Sequence, residues 1–173
     1  LAELTAQFHA AKEFESPMIN LKSGPRIDGL SPAAQHTACV ENLKRAGDMA
    51  AEQNVRIVIE PIDPIENPRM YMTSVSEGFA IVREVGSPRI QPLFDISHAQ
   101  VEEGNMIDTI RKWHSFIGHI HIADVPGRHE PGTGEIQYRR VAEALREVDY
   151  NGVVGLEAYP QADDLEAMTR FRE

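Results

Sequence analysis

Four side chains able to hold a hard metal ion, Glu60, Asp95, His121 and Glu157, each close a short apolar, β-branched run. The runs are Val58-Ile59-Glu60, Pro92-Leu93-Phe94-Asp95, Gly118-His119-Ile120-His121 and Val153-Val154-Gly155-Leu156-Glu157. A carboxylate inside such a strand is costly to bury unless its neighbours point at the same cation. Helical patterns separate the runs, so the strands are expected to be parallel, with their C-terminal ends on one rim. Parallel α/β enzymes place their chemistry on that rim. The chain therefore reads as an enzyme.

Positioning these groups requires a regular alternation of strand and helix, and the sequence supplies it. Leu1, Leu4, Phe8 and Ala11 recur at helical spacing before a short strand at Met18-Ile19-Asn20-Leu21. Ser31 as N-cap and Pro32 at the first helical position open a long helix with a stripe of Val40, Leu43, Gly47, Ala50 and Ala51, ended by Asn54. A strand is expected over 55–62, followed by a loop over 63–72 long enough to border a site. Val75, Phe79 and Val82 line the next helix face, Gly86-Ser87-Pro88 breaks it, and 90–96 reads as a strand. Met106, Ile107, Ile110 and Trp113 mark a helix, 117–123 a strand, and 124–135 an irregular loop rich in Gly and Pro. A helix through Val141 and Leu145, a strand over 152–159 and a helix over 163–171 complete five strands, each followed by a helix.

Composition narrows the class. The 173 residues carry a net charge of -10 and are 42% hydrophobic, enough for one domain over 1–173 with a real core. The acidic excess opposes a nucleic-acid partner, which needs a concentrated basic surface. No apolar run approaches the roughly 20 residues that span a bilayer, so no membrane partner is expected. The lone Cys39 permits no disulfide framework within the chain, and with no secretory pattern at its start a cytoplasmic setting is expected.

Five βα units suit either a doubly wound sheet or part of a TIM barrel. No glycine fingerprint of the dinucleotide or P-loop type follows any strand. Ligands on consecutive strand ends favour a barrel rim, yet a closed barrel needs eight strands and about 250 residues. At Ile59-Glu60-Pro61-Ile62, Phe94-Asp95-Ile96-Ser97-His98, the 118–124 segment Gly-His-Ile-His-Ile-Ala-Asp, and Gly155-Leu156-Glu157, the chain resembles the xylose isomerase-like TIM-barrel superfamily. Within it the chain looks like the hydroxypyruvate isomerases and related sugar isomerases and epimerases. The loop Val125-Pro126-Gly127-Arg128-His129-Glu130-Pro131 with Thr133-Gly134-Glu135 is especially similar to that of the hydroxypyruvate isomerases.

The resemblance implies an incomplete (β/α)8 barrel, this chain covering strands four to eight. It implies metal ligation by Glu60, Asp95, His121 and Glu157, with Glu60 and Glu157 also moving the proton. Three carboxylates and one imidazole suit Mg²⁺ or Mn²⁺. His98 is expected to contact substrate oxygens, and Arg128 to clamp a substrate carboxylate as a planar fork. Interconverting an α-hydroxy aldehyde and a ketone needs a base, an acid and a cation to hold the charge of the cis-enediolate. Other residues carry blander expectations: Asp124 orients the site or caps a turn, Glu135 helps cap the next helix, and Trp113 is core. His129 and Glu130 stay open between pocket lining and solvation.

The leading expectation is a metal-dependent isomerase of a small hydroxy-keto acid, hydroxypyruvate giving tartronate semialdehyde. A ketose 3-epimerase would use the same groups on a longer sugar. An apurinic-site nuclease ranks lower, because this chain has Gly127 before Arg128-His129 where those enzymes carry Asp. The last alternative is an inactive fragment. Apolar edges left by an open barrel lead to the expectation of a homo-oligomer or a complementing chain.

Overall fold

The runs of valine and isoleucine become five strands, and the polar, periodic stretches between them become helices. The computed structural model describes residues 2–172. Leu1, expected on the apolar face of the first helix, lies outside them. The chain falls into two compact units, Leu1–Leu93 and Phe94–Glu173.

The first unit contains α1 (Ala2–Glu13), β1 (Met18–Lys22), α2 (Pro32–Gln53), β2 (Arg56–Glu60), α3 (Val75–Val85) and the start of β3 (Ile90–Asp95). Leu4, Phe8 and Ala11 of α1 are buried as the spacing predicts. Strand β1 pairs in parallel with β2, Met18 opposite Arg56 and Lys22 opposite Glu60. Strand β2 pairs in parallel with β3, Ile57 opposite Ile90. Ile57, Val58, Ile59 and Glu60 are all buried, the signature of a strand covered on both faces.

Local chemistry sets the helix ends. The Ser31 side chain accepts from Ala34 N, and Asn54 closes α2 in the left-handed conformation. Ser74 caps α3 by accepting from Glu77 N, and Gly86 ends it at φ 66°, where glycine meets no Cβ penalty. The buried stripe of α2 includes Val40, Leu43, Ala46, Gly47 and Ala50, whereas Ala51 faces outward. The strand expected over 55–62 is shorter, because Pro61 has no N–H to continue the ladder. The loop beyond it is fastened to the loop after β1: Met72 N donates to Ser23 Oγ at 2.9 Å and Tyr71 N to Gly24 O at 2.9 Å.

The second unit holds the end of β3, α4 (Ile96–Glu102), α5 (Met106–Trp113), β4 (His119–Ile122), α6 (Tyr138–Glu147), β5 (Val153–Leu156) and α7 (Asp164–Arg172). Strands β4 and β5 pair in parallel, His119 opposite Val153 and Ile122 opposite Leu156. The expected strand over 90–96 ends one residue early. Asp95 instead caps α4, a helix not expected from the sequence, so β3 is followed by two helices. Ile110 anchors α5 in the core, while Trp113 is half-buried and stacks at a tilt on Phe116. Among the described residues no helix is long and apolar enough to cross a membrane.

Candidate functional site

Strand termini place the candidate ligands, though not uniformly. Glu60 is the last residue of β2, Asp95 the last of β3, His121 the third of the four residues of β4, and Glu157 the residue just beyond β5. Glu157 remains tied to the ladder through its N–H, which donates to Ile122 O at 3.2 Å.

In the first unit, the fully buried Glu60 accepts from Asn20 Nδ2 at 2.7 Å, with Lys22 Nζ 3.8 Å away. Both partners come from β1, the strand beside it. The sequence reading missed them, although a polar residue inside Met18-Ile19-Asn20-Leu21 was a usable signal. The following loop is shaped by Asp63, whose Oδ1 accepts from Ile65 N and Glu66 N.

The second unit gathers Asp95, His121, Glu157 and Arg128. Each of Asp95, His121 and Glu157 offers one ligand atom, and these atoms lie within 4.8 Å of one another. His121 Nδ1 is 3.0 Å from Glu157 Oε2 and 3.8 Å from Asp95 Oδ2. Asp95 splits its carboxylate. Oδ1 accepts from Ser97 N at 2.8 Å and His98 N at 3.0 Å, capping α4, while Oδ2 lies on the side of the cluster, 3.8 Å from His121 Nδ1. Adjacent ligands of an octahedral ion at ~2.1 Å sit about 3 Å apart, so this mixed oxygen and imidazole set fits a small divalent cation.

Arg128 enters the same cluster. Its Nη2 donates to Asp95 Oδ2 at 2.7 Å and also to Glu157 Oε2, while Nη1 donates to Asp95 Oδ1 at 3.3 Å. The hydrogen bond from His121, then its charge and that of Arg128, hold the Glu157 carboxyl down at about 2 against the opposing effect of burial. His98, expected over the pocket, lies on the first turn of α4 and is buried.

The loop that carries Arg128 is locked by its neighbours. Asp124 Oδ1 accepts from Val125 N and Ile136 N, and Oδ2 from Gly132 N, so it is the turn cap that was one of its two expected roles. The buried Glu130 accepts from Gln161 N at 3.0 Å, and His129 Nδ1 lies 2.6 Å from Tyr159 O. Both residues therefore pin the loop to the segment after β5, a role that is neither of the two left open for them. Glu135 does not cap α6: its carboxylate accepts from Gln100 Nε2, and the N-cap is Gln137 without a side-chain bond. Tyr138, at the start of α6, donates to Ala123 O at 2.6 Å. Burial, then the charges of Asp95 and Asp124, push its hydroxyl well above the ordinary range.

Parallel βα units with acidic and imidazole ligands at their strand ends define a class of α/β barrel proteins. The chain belongs to the xylose isomerase-like TIM barrel family, whose model matches residues 1–173. It contributes five of that barrel's strands. It is 35% identical over 158 residues to hydroxypyruvate isomerase of Escherichia coli strain K12, covering 91% of this chain and 61% of that protein. It is 38% identical over 139 residues to 2-oxo-tetronate isomerase of Cupriavidus necator, covering 78% of this chain and 54% of that protein. Among solved structures it superimposes on an AP endonuclease of family 2 from Brucella melitensis with a TM-score of 0.91 at 28% identity, covering 98% of this chain and 65% of that one. The chain thus spans a little over half the length of these curated relatives.

Proposed function

We propose that this chain carries much of the active site of a metal-dependent isomerase that interconverts a small hydroxy-keto acid and its aldehyde isomer, hydroxypyruvate and tartronate semialdehyde being the pair. The observation that carries the reading is the convergence of Asp95, His121 and Glu157 on one point. The names of two relatives, both isomerases of small oxo acids, support the substrate class. A net charge of -10 disfavours the nucleic-acid substrate of an endonuclease, the activity for which the Brucella protein is named.

Glu60 is proposed to complete the ligand set of Asp95, His121 and Glu157, with Mg²⁺ or Mn²⁺ as the ion. When bound, such an ion would supply Lewis-acid stabilisation of the negative charge that develops on the substrate. One of Glu60 and Glu157 takes the proton from the hydroxyl-bearing carbon, and that C–H electron pair becomes the double bond of a cis-enediolate. The other glutamate returns a proton to the former carbonyl carbon while the hydroxyl proton passes from its oxygen to the former carbonyl oxygen, so atoms and electrons balance with no external oxidant or reductant. Glu157 is ionised at neutral pH and partly open to solvent, as a base must be. Arg128 holds the substrate carboxylate and His98 a substrate oxygen.

The test is turnover of hydroxypyruvate by purified protein, stripped with EDTA and then resupplied with Mg²⁺ or Mn²⁺. Glu60→Gln and Glu157→Gln are each expected to lose roughly 10²- to 10⁴-fold in rate. Metal bound without turnover would move the substrate to a longer sugar and favour an epimerase. Loss of both, with no metal bound and no turnover, would overturn the proposal.

A further inference from the structure

Strand β1 reads Met18-Ile19-Asn20-Leu21-Lys22, and its two polar residues alternate onto one face. In the parallel pairing Lys22 stands opposite Glu60 and Asn20 opposite Val58, so both share the face from which the Glu60 side chain leaves β2. An amide is disfavoured inside a strand. Here it is matched to a carboxylate, because Asn20 Nδ2 donates to Glu60 Oε2 at 2.7 Å. Resting on the reading of Glu60 as metal ligand and proton carrier, we infer that Asn20 is a positioning residue: it fixes the orientation of the Glu60 carboxylate and so sets how well that group meets a divalent cation.

Burial makes this orientation a matter for protein groups. Glu60 is fully buried, and a carboxylate withdrawn from water needs donors from its neighbours. Of the two β1 groups near Oε2, only Asn20 is within hydrogen-bonding reach. Lys22 Nζ, half-exposed and 3.8 Å away, supplies charge without direction. A neutral amide suits the task, since it donates along a defined line and adds no positive charge to repel a cation.

The donor also stands on a rigid base. The β1–β2 ladder runs from Met18 to Lys22, and directly beyond it Ser23 Oγ accepts from Met72 N at 2.9 Å, joining the loops that follow both strands. A side chain carried by a paired strand is placed more sharply than one carried by a free loop. Asn20 is itself exposed, so replacing it opens no cavity in the core. The groups that hydrogen-bond to metal ligands tune affinity through the ligand they hold, and that is the role assigned to Asn20.

Calorimetric titration of Mn²⁺ into the EDTA-treated chain tests this, with folding checked by circular dichroism. Asn20→Leu, close in volume but without a donor, should weaken Mn²⁺ binding about tenfold. Asn20→Ala should move it in the same direction and serves if the leucine variant does not fold. Lys22→Met, which removes a repelling charge from the same strand, should bind Mn²⁺ at least as tightly as wild type. In a Glu60→Gln background the Asn20 replacement should add less than about twofold, because its effect passes through that carboxylate. Unchanged affinity in the folded Asn20 variants, an equal loss in Lys22→Met, or a full loss that persists in Glu60→Gln would show that Asn20 serves β1 as structure alone, and would overturn the inference. A folded wild type that takes up no Mn²⁺, or a Glu60→Gln variant that binds it as wild type does, would instead sink the reading of Glu60 as a ligand, and this inference with it.

Discussion

Gly134 has no room for a side chain. A Cβ there would lie 2.1 Å from Val125 O and 2.6 Å from Asp124 Oδ1, and neither backbone nor capping carboxylate can yield without breaking the bonds that shape the loop. Gly134→Ala is expected to cost about 2 kcal/mol, read by urea denaturation; an unchanged midpoint would show that the loop relaxes freely. At this scale the sequence disclosed residue type better than partner. The types of Asp95, His121 and Glu157, each at or near the end of an apolar run, marked them as candidate ligands before any fold was known. That Arg128 would grip Asp95 and Glu157, 33 and 29 residues away, was beyond reach, because nothing local encodes such a pairing. Glu130 was opaque for the same reason: its partner, Gln161 N, stands 31 residues on.

Elements were legible where a local signal sets them. Ser31-Pro32 starts α2, Asn54 and Gly86 stop α2 and α3, and each signal is a side chain or a backbone freedom acting within one turn. Helix α4 escaped because Pro92-Leu93-Phe94-Asp95-Ile96 continues the apolar run of a strand, and seven residues are too few to display a helical period. The loop between β4 and α6 is held by Glu130, whose carboxyl is kept below its ordinary value of 4.5 chiefly by the backbone N–H of Gln161. A depressed value in the folded state means that the stabilisation is present in full above the ordinary value and is lost as pH falls through the folded one. The gap in melting temperature between wild type and Glu130→Gln should therefore hold steady from neutral pH to about 4.5 and shrink on further acidification. A gap that widens in acid would contradict the latch.

Across the whole molecule, the family and its parallel βα plan were readable from motif order, whereas the division into two compact units had no counterpart in composition or linker chemistry. Leu165 and Met168, three residues apart on α7, are 74% and 57% exposed, and Val153 at the start of β5 is 55% exposed. Apolar side chains presented along one helix and its strand favour association. Light scattering should show the weight-average mass rising with concentration, and Met168→Glu should suppress the rise; a constant monomer mass at all concentrations would refute this. The split carboxylate of Asp95 has a separate bearing on how relatives of this chain are to be judged. A descendant that had lost its chemistry would still gain from an acid or amide at position 95, because one oxygen there holds the start of α4. Persistence of that residue is thus poor testimony to a working enzyme. Glu157 and His121, whose described bonds serve the cluster, are the positions where decay would first be written.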